Sequence, residues 1–149
     1  MGLDMYLVRY NSNNDLRGED IAYWRKANAI HWWFVQNVQN GIDDCKEYVV
    51  TKAQLKELYD ICAEIQPFII YGETPLMYEA NPYNAVGLTE DGVEIAYELL
   101  PTHGGFFFGD VSYGASYVAD ILTTMNQLVP IIASMEAEPN MVVKYLASW

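Results

Sequence analysis

The sequence predicts an α+β protein in which a small antiparallel sheet packs against about four helices. Three observations lead to this fold class. Segments rich in valine, tyrosine and other β-favouring residues lie at both ends of the chain, amphipathic helical stretches lie between them, and no segment repeats with a period of about 20–50 residues. With 149 residues, the chain has the length of a single domain.

The N-terminal region predicts one strand followed by one long helix. Residues 3–10 mix tyrosine and valine with leucine and methionine, and a turn-forming cluster of asparagine, serine and aspartate follows. Residues 20–39 contain neither glycine nor proline, and apolar side chains recur there at three- and four-residue steps. These are Tyr23, Ala27, Ile30, Phe34 and Val38. We therefore expect a helix that ends before Gly41, with Trp32 and Trp33 towards its outer side.

The middle of the chain predicts a short strand, a capped helix and an aromatic excursion. Residues 48–50 favour a strand, and Thr51 with Gln54 three residues later forms the pattern of a capping box. The helix that starts there ends before Pro67, because proline lacks an amide hydrogen and disfavours a helical residue before it. The segment 66–87 is rich in proline and tyrosine, and we expect an ordered excursion from the single domain, 1–149.

A third helix is expected after Thr89. This threonine can cap a helix whose first turn holds Glu90 and Asp91, which are favourable at the positive end of the helix dipole. Residues 93–99 also alternate as a strand would, but the cap, the acids and Pro101 at the far end favour the helix.

The last third of the chain predicts two strands around a fourth helix. Residues 105–109 are aromatic and bounded by glycines, which favours a strand over Phe106 to Phe108. A helix over 116–134 and a closing strand over 141–149 follow. The predicted sheet therefore combines the N-terminal, the Phe106–Phe108 and the C-terminal strands.

The charge balance excludes several classes of partner. The formal net charge is −12, from 20 acidic against 8 basic residues. Such a surface repels phosphate backbones, so we expect neither direct nucleic-acid binding nor membrane binding. The N-terminal segment carries Asp4 and Arg9 where a secretory signal would be apolar, and the two cysteines lack a CxxC spacing. These features favour a cytoplasmic protein in a reducing compartment.

The strongest candidate for a binding site is the predicted first helix. It holds two of the eight basic residues and three of the four tryptophans. The candidate ligand-binding residues are Trp24, Arg25, Asn28 and His31, a set that could hold an anionic, aromatic ligand such as a nucleotide by charge-assisted hydrogen bonds and stacking. The alternative is a packed helix whose basic residues pair with surface carboxylates.

A second candidate is the glycine turn that follows the third helix. Thr102, His103, Gly104 and Gly105 offer backbone amides that can cradle an anion, although the turn matches neither a P-loop nor a dinucleotide-binding fingerprint. The alternative is a turn whose glycines only supply positive φ. If the turn and the first helix converge on one pocket, both could bind the same ligand.

Other chemistry has less support in the sequence. His31, His103 and the two cysteines lack the spacing of a metal site, so we expect no metal and no cofactor. Cys62 lies on the apolar stripe of the second helix, which favours a core position over a nucleophile. Asp4 lies in an apolar strand and needs a partner there, most simply an arginine or a backbone donor.

With these residues identified, the chain resembles a family of short proteins encoded by bacteriophages and prophages. The resemblance rests on MGLDMYL at 1–7, YWRKANAIH at 23–31, LLPT at 99–102 and GFFFG at 105–109. It covers about half of the chain, and the segment 66–87 departs from it. The resemblance implies a setting rather than an activity, namely a mobile-element protein that acts on a host cell.

Three functions remain open. The first is non-catalytic sequestration of a small anionic, nucleotide-like signal of host immunity, which would be a form of counter-defence. The second is inhibition of a host nucleic-acid-binding or defence enzyme by carboxylates presented in place of phosphates. The third is a small hydrolase. For each, the partner is a small anionic ligand or a host protein, and we expect the chain to form a homodimer through exposed indoles.

Overall fold

The computed structural model describes residues 2–11, 18–72, 83–105 and 108–149. Within these ranges the fold is α+β, as the sequence predicts. The order of elements is β1 (Asp4–Tyr10), β2 (Glu19–Arg25), α1 (Asn28–Asn37), β3 (Tyr48–Val50), α2 (Lys52–Ile65), a 3-10 turn (Gln66–Phe68), β4 (Ile69–Tyr71), β5 (Ala85–Leu88), α3 (Glu90–Leu99), α4 (Ala115–Ala137) and β6 (Val142–Ser148).

The main sheet has four antiparallel strands in the order β2-β1-β6-β3. The two terminal strands pair at its centre, where Asp4 lies opposite Ser148 and Tyr10 opposite Val142. The N-terminal and C-terminal strands are thus confirmed. A second sheet of two strands, β4 and β5, is built from the ends of the excursion 66–87, and residues 73–82 of that excursion lie outside the described residues.

The expectation of one long helix over 20–39 is wrong in its first part. Residues 19–25 form β2, in which Ala22 and Trp24 point inward and their neighbours outward. This alternation is a period of two, and it coexists in the sequence with the three- and four-residue spacing that indicates a helix. Pairing with β1 decides between them, because tertiary contacts override local preference in a short segment.

Two of the three residues of the predicted Phe106–Phe108 strand, Phe106 and Phe107, lie outside the described residues. Gly105 and Phe108, which flank them, are joined by a turn hydrogen bond of 3.2 Å from the Phe108 amide to the Gly105 carbonyl, and neither lies in a strand. The place beside β1 is taken by β2 instead.

The other predicted helices are confirmed. The hydroxyl of Thr51 accepts from the Gln54 amide at 3.1 Å, and the Gln54 side chain accepts from the Thr51 amide at 2.9 Å, which completes the capping box of α2. The hydroxyl of Thr89 accepts from the Gly92 amide and caps α3. The fourth helix is longer than expected and continues through Pro130 to Ala137.

Helices cover one face of the four-stranded sheet and enclose the core. Phe34 of α1 stacks on Tyr145 of β6 with ring centroids 3.9 Å apart, and Trp24 of β2 contacts α4. The buried apolar residues of the described ranges form one cluster that includes residues from both sheets and all four helices. Helix α4 is long and apolar enough to cross a membrane, but half of its apolar window is buried in this fold, as in a core helix.

Candidate functional site

Trp24 and Arg25, which the sequence predicts on the first helix, lie on β2 instead. Their environments differ. Trp24 is only 3% exposed, and its indole nitrogen donates to the hydroxyl of Thr124 on α4 at 2.9 Å. Its rings pack in the core, where Phe34 contacts them edge-on. The flat face expected to stack on a ligand base is therefore occupied by the protein itself.

Arg25 points to the outer side of the sheet and pairs with Asp4, the residue opposite it on β1. Its guanidinium donates to the Asp4 carboxylate at 2.8 Å, and the Tyr23 hydroxyl donates to the same oxygen at 2.6 Å. The Tyr23 hydrogen bond, together with Arg25, lowers the pKa of Asp4 below its usual value. The strand carboxylate thus has the arginine partner that the sequence analysis expects.

Lys26 follows with a left-handed backbone, at φ 55°, and extends beside Arg25. A Cβ atom on Gly2 would lie 2.9 Å from Nη2 of Arg25 and 3.0 Å from Cε of Lys26, so both cationic side chains pass over this glycine. Within the described ranges, Lys26 is the one lysine or arginine with no carboxylate oxygen within 4 Å. Its charge is therefore available to an external anion.

Asn28 is buried at the start of α1, and it holds the loop that follows α3. Its amide nitrogen donates to the carbonyls of Phe108 and Asp110 at 3.1 and 2.8 Å, and its carbonyl oxygen accepts from the His103 amide at 3.0 Å. One side chain thus fixes both ends of the segment 103–110. Because these bonds occupy the amide, Asn28 acts here as a positioning residue for the loop.

His31 has no exposed surface, and both of its ring nitrogens are engaged. Nδ1 lies 2.6 Å from the hydroxyl of Tyr145, and Nε2 lies 3.0 Å from Asp43, which also accepts from the Trp149 indole at 3.1 Å. Both contacts are satisfied when neutral His31 accepts from Tyr145 and donates to Asp43. Burial lowers the pKa of His31, against the opposing effect of the nearby Asp43 carboxylate.

The glycine turn lies against α1. The ring of His103 stacks on Trp32 with centroids 3.6 Å apart and planes 2° apart. The Thr102 hydroxyl donates to the Val111 carbonyl at 2.7 Å, whereas Gly104 and Gly105 are exposed. No residue in the described ranges hydrogen-bonds the ring nitrogens of His103, so this imidazole can reach a ligand.

The far end of the same loop meets Lys26. Gly109 has a φ of 84°, a conformation that glycine adopts at little cost, and a Cβ there would lie 3.0 Å from Cβ of Lys26. Residues 103–105 therefore lie beside Trp32, and residues 108–110 lie beside Asn28 and Lys26. The candidate site consists of these described residues together with Arg25.

Two members of this site were missed in the sequence analysis. Lys26 was not selected, although a second basic residue beside Arg25 in a chain of charge −12 is a usable signal. Trp32 was placed on the outer side of the helix with Trp33, but Trp32 is covered by His103 and Trp33 is 6% exposed. Nothing in the sequence indicates the pairing of Asp43 with His31, because it depends on how the chain folds back after α1.

The cysteines offer little support for nucleophilic chemistry. Cys62 is buried in α2, and burial raises the pKa of its thiol to about 12, so the reactive thiolate is disfavoured. Cys45 is exposed. The two nitrogens of His31 are both engaged, so it cannot serve Cys45 as a base in this conformation. In the described part of the chain, no three histidine, cysteine, aspartate or glutamate side chains group as metal ligands would.

Comparison with known proteins adds no relative to this geometry. No protein-family model matches the chain, and neither a curated protein nor a solved structure matches it.

Proposed function

We propose that the protein binds and sequesters a small anionic, nucleotide-like ligand without converting it. In this proposal it is a phage-type accessory protein in the cytoplasm of the host cell, and the ligand belongs to host immune signalling. The observation that carries the proposal is Lys26, a cationic side chain without a carboxylate partner among the described residues, in a chain of charge −12. A lysine ammonium without a carboxylate partner can offer an anion charge-assisted hydrogen bonds at this point of an otherwise negative surface.

The anionic end of the ligand would lie over Gly2. Arg25 uses Nη1 for Asp4, while Nη2 lies with Lys26 above the glycine and remains at the surface. A phosphate or carboxylate can then receive hydrogen bonds from a guanidinium and an ammonium together. The first turn of α1 adds positive potential, since it contains no acid and no capping side chain.

The second contact is the Trp32–His103 stack. Asn28 holds the His103 backbone, so the imidazole is positioned before any ligand arrives. A preorganised ring loses little conformational entropy on binding. Its free nitrogens can donate to or accept from the polar part of a nucleotide.

Sequestration is favoured over hydrolysis by the state of the buried groups. His31 and Asp43 form a carboxylate–imidazole pair of the kind used in acid–base catalysis, but the imidazole has no exposed surface and its second nitrogen is bound to Tyr145. A general base must reach the proton that it removes. The network of His31, Asp43 and Tyr145 therefore stabilises the core. The neighbouring surface site binds the ligand without catalysis in this proposal.

The test is incubation of the protein with a host metabolite and signalling-nucleotide extract, followed by washing, heating and mass spectrometry of what is released. We expect an intact anionic ligand from the wild type and at least tenfold less from Lys26→Asn, because asparagine suits the left-handed backbone and lacks the charge. Lys56→Gln is the matched control, because it removes a lysine of α2 that already pairs with Glu136. A converted product would favour the hydrolase, and an empty wild-type protein would contradict sequestration.

A second candidate function is inhibition of a host nucleic-acid-binding or defence enzyme through the exposed face of α3. Glu90 and Asp91 are explained by the positive end of the helix. Glu94 lies in the middle of α3 and Glu98 in its last turn, where the dipole disfavours a carboxylate, and Tyr97 between them is 70% exposed. No described lysine or arginine lies within 4 Å of these acids.

This candidate is tested by competition for a host DNA-binding enzyme on labelled DNA. If α3 replaces phosphates, the wild type displaces the DNA, and Glu94→Gln combined with Glu98→Gln does so at least tenfold less well. The same double change at Glu57 and Glu64, which are exposed on α2, is the charge-matched control. Equal displacement by the two double variants would contradict a role for α3.

A further inference from the structure

A small cleft lies beside the candidate site, between α1 and the end of α3. Its volume is about 200 Å³. It is lined by side chains of α1, among them Trp32, Trp33 and Gln36, and by Leu99, Leu100 and Pro101 at the end of α3. None of the lining side chains is charged. Trp32 borders this cleft and also stacks on His103, so the cleft is continuous with the candidate site.

The size of the cleft restricts its occupant. Pockets for whole drug-sized ligands measure about 300–1,000 Å³, so about 200 Å³ suits one planar ring system. The part of the Trp32 indole that His103 leaves uncovered and the Pro101 ring supply apolar surface for such a ring, whereas Trp33 is only 6% exposed. A phosphate would be poorly placed here, because the lining contains no cation.

The polar groups at the rim indicate which ring fits. The Leu100 carbonyl at the end of α3 already accepts a hydrogen bond from the Tyr117 hydroxyl at 2.8 Å, and a carbonyl oxygen keeps a second lone pair for another donor. The Gln36 side chain is exposed and has no hydrogen bond to a described residue, so its amide can both donate and accept. Acceptors near the cleft favour a heterocycle that carries N–H donors, such as an exocyclic amine.

We propose that this cleft is the base subsite of the ligand site and that it takes an amino-bearing nucleobase such as adenine. The inference rests on the proposed function and narrows its ligand to a nucleoside phosphate. Because Trp32 borders the cleft and also stacks on His103, a base in the cleft would direct its sugar phosphate along the candidate site towards the Arg25–Lys26 pair.

The experiment uses three probes, namely AMP, adenosine and ribose 5-phosphate, with calorimetry and tryptophan fluorescence as readouts. Adenosine should bind and change the fluorescence of the indoles that line the cleft, and AMP should bind at least tenfold more tightly than adenosine. Gln36→Leu should weaken both by at least tenfold, because it removes the free amide from an exposed helical position. The control is Gln66→Leu, at an exposed glutamine after α2, which should bind as the wild type does.

The outcomes separate the two proposals. If ribose 5-phosphate binds while adenosine neither binds nor changes the fluorescence at millimolar concentration, the base subsite is overturned and the anion site stands. If adenosine binds and AMP gains nothing over it, the cleft is supported and the anion site over Gly2 is refuted. Unchanged AMP and adenosine binding in Gln36→Leu, or no binding of any probe, would overturn the base subsite.

Discussion

Replacing Asp120 with asparagine should stabilise the protein at neutral pH. Asp120 lies on α4 one turn before Thr124, on the flank that faces β2, and no described residue donates to its carboxylate. Burial raises the pKa of this carboxyl from its ordinary value of 3.8 to about 8. Asparagine keeps the shape of the side chain and removes the charge.

The magnitude follows from the size of the shift. One pKa unit corresponds to about 1.4 kcal/mol, so burying the charge costs up to about 4 kcal/mol at pH 7. Because the side chain is partly exposed, we expect Asp120→Asn to raise the free energy of unfolding by about 1–3 kcal/mol. Between about pH 4 and pH 8 the Asp120 carboxyl binds more protons in the folded state than in the unfolded state. The contribution of Asp120 to the stability of the wild type therefore falls as pH rises.

Urea unfolding of both proteins at pH 5, 7 and 8 measures this difference. The advantage of Asp120→Asn should be largest at pH 8 and shrink towards pH 5. His31 acts in the opposite direction, since its lowered pKa reduces stability as pH falls below about 6.5, but it is present in both proteins and cancels. Asp60→Asn, at an exposed position on α2, should change stability by less than about 0.5 kcal/mol. If Asp120→Asn were only as stable as the wild type, or if its advantage did not change with pH, the reasoning would be refuted.

Three further predictions concern single side chains. Thr51→Ala removes the cap of α2 and should cost about 1 kcal/mol in urea unfolding, and an unchanged midpoint would contradict the capping box with Gln54. Tyr145→Phe leaves Nδ1 of His31 without its hydroxyl partner and should cost about 1–3 kcal/mol in the same assay, whereas a smaller loss would show that the buried nitrogen is satisfied otherwise. Asn28→Ala removes three hydrogen bonds to the loop, so we expect about 2–3 kcal/mol of lost stability and a change in tryptophan fluorescence as the stack loosens, and native fluorescence would contradict its positioning role.

The homodimer remains a prediction, but exposed indoles do not support it. Trp33 is buried in the protomer, and Trp32 is covered by His103, so these indoles do not form an exposed patch. Sedimentation of the 17.0 kDa chain at tens of micromolar tests the association directly.

Several residues of the candidate site could be named from the sequence, but their contacts could not. The first helix and the Thr102–Gly105 turn, both candidates from the sequence, are in contact through the Asn28–His103 hydrogen bond. Nothing in the sequence indicates that this bond occupies Asn28, or that His31 lies buried between Asp43 and Tyr145. These partners are 12 to 114 residues apart in the chain, and no local spacing encodes such contacts.

The sequence by itself determined the elements whose signals are local. The capping box at Thr51, the cap at Thr89, the helix end before Pro67 and the apolar stripe of α2 each depend on residues within a few positions. The hydrogen bonds of the two caps therefore form as predicted. The tertiary structure decided residues 19–25, where helical and strand periods coexist and the pairing of β2 with β1 favours the strand. It also decided which charges remain free, because Arg25 meets Asp4 across two strands while Lys26, one residue later, meets no described carboxylate. Ion pairs between strands depend on register, and register is set by the whole sheet.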